Sequence, residues 1–166
     1  ERIKAPLGFH LDIPPRRRVW ATPNGKSNFL VLPGLDANAP VADPAMLRLA
    51  TVRSHDQFNT TIYSYNDRYR GVYGDRMVVF VNAGDREARG FAAGAKIALE
   101  TYSDDGVARR VEGLTLLDYP MSRGAVAGYY PELNPLLPLG HYDRISGTPA
   151  AKSIPVRIVA MEDGAA

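Results

Sequence analysis

The densest concentration of hydrogen-bonding side chains in the sequence is the run Thr51-Val52-Arg53-Ser54-His55-Asp56-Gln57-Phe58-Asn59-Thr60-Thr61. Arg53 offers a planar fork of donors suited to a phosphate or a carboxylate. Ser54, Gln57, Asn59, Thr60 and Thr61 can reach amide, ribose or heterocycle edges, and Asp56 can accept from a guanidine-like edge such as that of guanine. A solvated loop would use the same residues for local turns, but such loops usually carry Gly or Pro and this run has neither. A second segment, Tyr129-Tyr130-Pro131-Glu132-Leu133-Asn134-Pro135-Leu136-Leu137, sets two aromatics, a carboxylate and an amide among prolines. The tyrosines at the end of a barrel would look alike, so the residues leave both readings open. A third, Thr148-Pro149-Ala150-Ala151-Lys152, ends on a point charge at the entrance of an apolar strand, where a lone lysine is also ordinary surface.

No self-contained catalytic set accompanies these segments. Nucleophile elbow, Walker loop, paired-histidine zinc motif and GxGxxG are missing. His10, His55 and His141 lie far apart without ligand spacing, so no metal ligands are assigned. Cysteine is absent, which removes disulfides, thiolate metal sites and Cys nucleophiles and favours a reducing, cytoplasmic setting. A net charge of +2 is too mild to indicate nucleic acid. Arg16, Arg17 and Arg18, and likewise Arg68, Arg70 and Arg76, read as solvated faces; a nucleic-acid binder built on the first cluster is the weakest alternative. No apolar run approaches the ~18 residues of a membrane helix, and no signal-peptide pattern appears. The sequence begins with Glu1 and not Met, which reads as the interior of a longer polypeptide.

The elements that must position these residues are mainly β. Residues 1–45 read as a proline-punctuated arm with a short hairpin, its strands at 17–21 and 29–32 and its turn at Thr22-Pro23-Asn24-Gly25-Lys26. Residues 46–166 form the regular domain. Strands are predicted at 49–53, 76–82, 96–102, 108–117, 125–130 and 154–161; the run Met77-Val78-Val79-Phe80-Val81 suits a wall buried on both faces. One short helix is predicted from a cap at Asn82 to a stop at Gly90, with Asp85 and Glu87 favoured by its dipole. Strand, short helix, glycine turn and strand in so few residues describe a small closed barrel.

In order and spacing these motifs resemble the carboxy-terminal domain of the dimethyl-sulfoxide-reductase superfamily of molybdopterin enzymes, above all formate-dehydrogenase-like catalytic subunits. The resemblance rests on Thr51-Val52-Arg53, His55, Asn82, Gly94-Ala95 and Thr148-Pro149-Ala150-Ala151-Lys152, and runs over residues 18–159. Thr22-Pro23-Asn24-Gly25-Lys26 is similar to a Thr-Pro-Ser-Gly-Lys turn that precedes the domain in many members. The resemblance implies a six-stranded double-psi β-barrel with one or two short helices. It also implies that the barrel helps to hold a bis-molybdopterin guanine dinucleotide carrying molybdenum. The contact residues it implies are Arg53, Ser54, His55, Asp56, Gln57, Asn59, Thr60, Tyr130, Asn134 and Lys152, with Arg53 and Lys152 meeting phosphate charge. Ala150 and Ala151 stand where many members carry Glu and an aromatic, so side-chain contacts are not expected there. Metal ligation, and any iron–sulfur cluster, would belong to upstream domains of the same polypeptide, which are the implied partners. The competing expectation is a free-standing double-psi barrel that binds peptides or proteins.

Overall fold

The computed structural model describes residues 4–29, 31, 43–103 and 105–161. The chain separates into two compact units, Glu1–Ala39 and Pro40–Ala166. In the first, the turn expected at Thr22 is present: the Gly25 N–H donates to the Thr22 carbonyl at 3.0 Å, and the Thr22 hydroxyl reaches the Lys26 carbonyl at 2.8 Å. The strand expected at 17–21 is not. Pro14 and Pro15 fix φ and start a 3-10 turn over Pro14–Arg17, which Arg18 closes in the left-handed region at φ 57°. Of the companion strand at 29–32, Phe29 and Val31 are not in a ladder, and Leu30 and Leu32 lie outside the described residues. No hydrophobic side chain described in this unit is buried.

The second unit is a closed six-stranded barrel. In chain order its elements are β1 (Leu47–Val52), β2 (Gln57–Phe58), β3 (Thr61–Ile62), β4 (Val78–Val81), α1 (Ala83–Ala88), β5 (Lys96–Thr101), β6 (Arg109–Asp118), β7 (Ala125–Tyr129) and β8 (Lys152–Ala160). The barrel runs β1-β7-β4-β6-β5-β8 and closes back on β1, while β2 and β3 form a separate small hairpin. β1 pairs with β7 and β4 with β6 in parallel; every other barrel pairing is antiparallel. Moving each barrel strand three places along the sequence maps this pairing pattern onto itself, the internal two-fold of a double-psi barrel.

Alternation decides what each strand contributes. Leu47 and Leu49 of β1, Val79 and Val81 of β4, Ile97 and Leu99 of β5 and Ile154 and Val156 of β8 fill the interior. Val78 and Phe80, the other face of β4, join Val72 and Tyr129 in a second cluster outside the wall. β4 is thus buried on both faces, as its continuous apolar run requires. Helix α1 begins where the sequence placed it: the Asn82 side chain accepts the Gly84 N–H at 2.9 Å, and Gly90 ends the turn at φ 75°.

β7 carries one position with no room for a side chain. A Cβ on Gly128 would run into Leu133 and stand 2.9 Å from the Val78 backbone oxygen, and the backbone cannot yield as a side chain can. Gly128→Ala is expected to cost about 1–3 kcal/mol. Thermal or urea unfolding checks this; an unchanged midpoint would contradict the packing described.

Candidate functional site

Three strand ends meet at one end of the barrel. β1 and β7 are parallel neighbours, so both finish there; β8 is antiparallel to β1 and so begins there. The Tyr130 N–H extends the ladder to the Val52 carbonyl at 3.1 Å, and the Thr51 N–H and hydroxyl both donate to the Ala151 carbonyl at 3.1 Å. The Lys152 ammonium donates to the Thr51 carbonyl. Pairing geometry, and not sequence proximity, therefore brings residues 51–53, 130 and 151–152 together.

They border a cleft of about 590 Å3 whose polar lining includes Thr51, Arg53, Tyr130, Asn134 and Lys152, against apolar walls from Leu137, Pro138 and Pro149. Asn134 is held there by a 3-10 turn, Asn134–Leu136, which Leu136 anchors in the core. The Arg53 guanidinium stands over the Tyr130 ring, 5.3 Å from its centroid, and its Nε donates to the Asn59 carbonyl at 3.2 Å. Among the described residues, neither Arg53 nor Lys152 is within ion-pair distance of a carboxylate. Two cations without an acidic partner, beside neutral donors, suit an anion.

Of the ten candidate positions, Arg53, Tyr130, Asn134 and Lys152 share this cleft. Ser54 and Gln57 do not line it; they are buried and turned towards Arg76. His55, Asp56, Asn59 and Thr60 are exposed and also outside its lining, although the Asn59 carbonyl holds Arg53 from behind.

Arg76 is the principal correction to the sequence reading, which placed it on a solvated face. It is 3% exposed. Its Nε and Nη2 form a fork on Glu132 at 2.5 and 3.1 Å; Nη1 donates to Ser54 Oγ at 2.6 Å, and Nη2 also to Gln57 Oε1 at 2.9 Å and the Tyr130 carbonyl at 3.0 Å. The guanidinium also lies 4.7 Å from the Tyr129 ring centroid. Asp67, to which the sequence reading gave no site role, is 1% exposed and accepts from Arg70 Nη1 at 2.6 Å and the Tyr129 hydroxyl at 2.8 Å, with His55 Nδ1 at 2.8 Å. Burial works to raise the Asp67 carboxyl, but the bonds from Arg70, Tyr129 and His55 outweigh it and hold it below its ordinary 3.8. Burial raises the Tyr129 hydroxyl, and its bond to Asp67 raises it further. The one sequence signal for Arg76 is its place directly before the run 77–81, where a charge entering a doubly buried strand must find a partner.

The architecture is of a known kind. It is similar to that of acetylene hydratase from Pelobacter acetylenicus, with a TM-score of 0.50 and 17% identity, over 78% of this chain and 19% of that one. At that identity the likeness speaks for the fold alone. In sequence the chain is similar to Protein YdeP of Escherichia coli strain K12, at 43% identity over 160 residues, covering 95% of this chain and 21% of that protein. It is also similar to the uncharacterized oxidoreductase Rv2900c of Mycobacterium tuberculosis H37Rv, at 44% over 162 residues, 95% of this chain and 20% of that protein. The chain thus spans about a fifth of the length of these curated relatives. No family model matches it. The fold is that of a six-stranded double-psi barrel, and nearly the whole chain is similar to one part of these longer relatives. Among the described residues no helix is long and apolar enough to cross a membrane, and no cluster of three or more His, Asp or Glu could hold a metal ion.

Two measurements test the network. Arg76→Met strands Glu132 without its cation and is expected to cost roughly 3–5 kcal/mol, part of which Glu132→Gln should restore in the double variant. Additive losses would show that the pair is not coupled. Asp67 is ionised at lower pH when folded than when unfolded, so its stabilisation is complete above its ordinary 3.8 and is lost as pH falls below that value. Asp67→Asn should accordingly flatten the acid limb of the stability curve below about pH 4. Parallel acid limbs for the two proteins would refute the assignment.

Proposed function

We propose that the chain is the carboxy-terminal, cofactor-holding domain of a molybdopterin-dependent oxidoreductase of formate-dehydrogenase-like type. In this reading its cleft receives the phosphate-bearing and guanine-bearing part of a bis-molybdopterin guanine dinucleotide. The observation that carries the reading is the meeting of Arg53, Tyr130, Asn134 and Lys152, from three distant segments, around one cleft. The donor set fits such a group: Arg53 and Lys152 for the pyrophosphate, Tyr130, Asn134 and Thr51 for ribose or heterocycle edges, and Leu137 and Pro138 to shield a ring from water. The volume is that of a site for one such end and not for the whole cofactor. Bound there, the cofactor supplies the redox centre; the residues of this chain bind, orient and shield it. Metal ligation, any iron–sulfur cluster and the substrate pocket belong, in this reading, to further domains of the polypeptide.

In the full-length protein, Arg53→Ala is expected to lower cofactor affinity about tenfold or more, the loss of a charge-assisted contact, whereas Arg17→Ala leaves it unchanged. Metal content and pterin released on denaturation report occupancy. Equal occupancy in the two variants would end the assignment.

A peptide- or protein-binding role has one observation in its favour, the exposed aromatics Phe58, Tyr63, Tyr65, Tyr69 and Tyr73. In that reading Tyr65→Ser and Tyr73→Ser abolish partner binding and Arg53→Ala does not; the opposite pattern favours the cofactor.

A further inference from the structure

We infer that Gln57 and Arg76 are positioning residues for the cleft: buried Arg76 fixes which way the Gln57 amide faces, and that amide holds the two groups that set Arg53 in place. The inference rests on reading the cleft as an anion site.

The path is continuous from core to surface. The Asn59 carbonyl accepts from Arg53 Nε at 3.2 Å, Gln57 Nε2 at 3.1 Å and the Tyr130 hydroxyl at 2.5 Å. Asn59 can turn its carbonyl inward because it sits in the β2–β3 turn at φ 53°, a conformation that Asn tolerates better than most residues. The other support of Arg53 is the Tyr130 ring beneath it, and the Tyr130 carbonyl accepts from both Gln57 Nε2 and Arg76 Nη2 at 3.0 Å. Gln57 is thus bonded to both supports.

Its amide has only one workable orientation. A guanidinium offers donors and no acceptor, so the side facing Arg76 must be the oxygen. That oxygen accepts from Arg76 Nη2 at 2.9 Å and from the Ser54 N–H at 3.3 Å. The nitrogen is then left for the carbonyls of Asn59 and Tyr130. Glu132 balances the Arg76 charge where it lies. An exposed arginine that must be immobilised on binding loses affinity; one already held by a carbonyl and a ring loses less.

The test follows Arg53 itself in the full chain. Side-chain nitrogen NMR identifies its Nε–H as the resonance lost in Arg53→Lys, and titration with inorganic pyrophosphate measures the cleft. Gln57→Met keeps the volume and deletes both the oxygen and the nitrogen of the amide; it is expected to speed exchange of the Arg53 Nε–H and to weaken pyrophosphate binding, each by about fivefold or more. Tyr130→Phe, which removes a single hydroxyl from the Asn59 carbonyl, moves both in the same direction by less, and serves if Gln57→Met folds poorly. Phe58→Ser, a change at the exposed neighbour of Gln57, moves neither. An Arg53 signal that exchanges at the wild-type rate in both Gln57→Met and Tyr130→Phe overturns the inference. Failure of the wild type to bind pyrophosphate, with the Arg53 signal still released by Gln57→Met, overturns the anion reading and upholds the positioning.

Discussion

A guanidinium taken out of water needs its charge and its donors met within the protein, and Arg76 imposes that requirement beneath the cleft. Each partner it finds fixes a stretch of chain. Glu132 brings in the segment after β7, Ser54 and Gln57 bring in the segment after β1, and the Tyr130 carbonyl ties the two together. Asp67 does the same from the opposite charge: it gathers Arg70, Tyr129 and His55, and Arg70 in turn donates to the Arg53 carbonyl at 3.1 Å. One end of the barrel is therefore closed by a small polar core, where the barrel proper is closed by an apolar one.

The topology explains why a polar core is needed there. β7 stands between β1 and β4 in the barrel, so no tight turn joins them, and the connecting chain runs from residue 53 to 77 before the wall resumes. That exceeds the roughly 12–15 residues beyond which an unstructured connection is uncommon in a compact domain. Only the two-residue strands β2 and β3 give it regular structure. Its apolar contribution includes Val72, packed with Val78, Phe80 and Tyr129. Hydrogen bonds from Arg76 to Ser54 and Gln57, and the contacts of Asp67 with His55 and Arg70, supply the remaining order.

The wall of the barrel was legible because its signal is local. Each of the six strands carries its own apolar run or alternation, and the helix carries its own cap, so the expected and observed elements agree to within a few residues. The arm shows where local reading fails: a good turn at Thr22–Lys26 suggested flanking strands, but Pro14 and Pro15 had already committed the preceding residues to a 3-10 turn. The site was legible in part. Arg53 and Lys152 could be named as charges, yet their meeting depends on β8 entering beside β1, a pairing between residues about 100 apart that no local pattern encodes. Ser54 and Gln57 were read as ligand contacts because donors in a sequence have no direction. Their direction is set by Arg76, and burial of a charge so far along the chain is a property of the fold.

The same inward turn determines what remains outside. The two buried or half-buried carboxylates beneath this end of the barrel are already matched, Glu132 by Arg76 and Asp67 by Arg70. Arg53 instead rests on a carbonyl and an aromatic ring, and Lys152 on a carbonyl, supports that fix position without cancelling charge. Had either cation been neutralised by a carboxylate, an incoming phosphate would have to displace it, and the exchange would gain little. With Glu132 held by Arg76 and Asp67 by Arg70, Arg53 and Lys152 keep their charge facing the cleft and its apolar walls. Fixed cations above an apolar wall are what a ligand with a charged backbone and a flat heterocycle requires, and that requirement links the buried guanidinium to the cofactor-holding role proposed for the cleft.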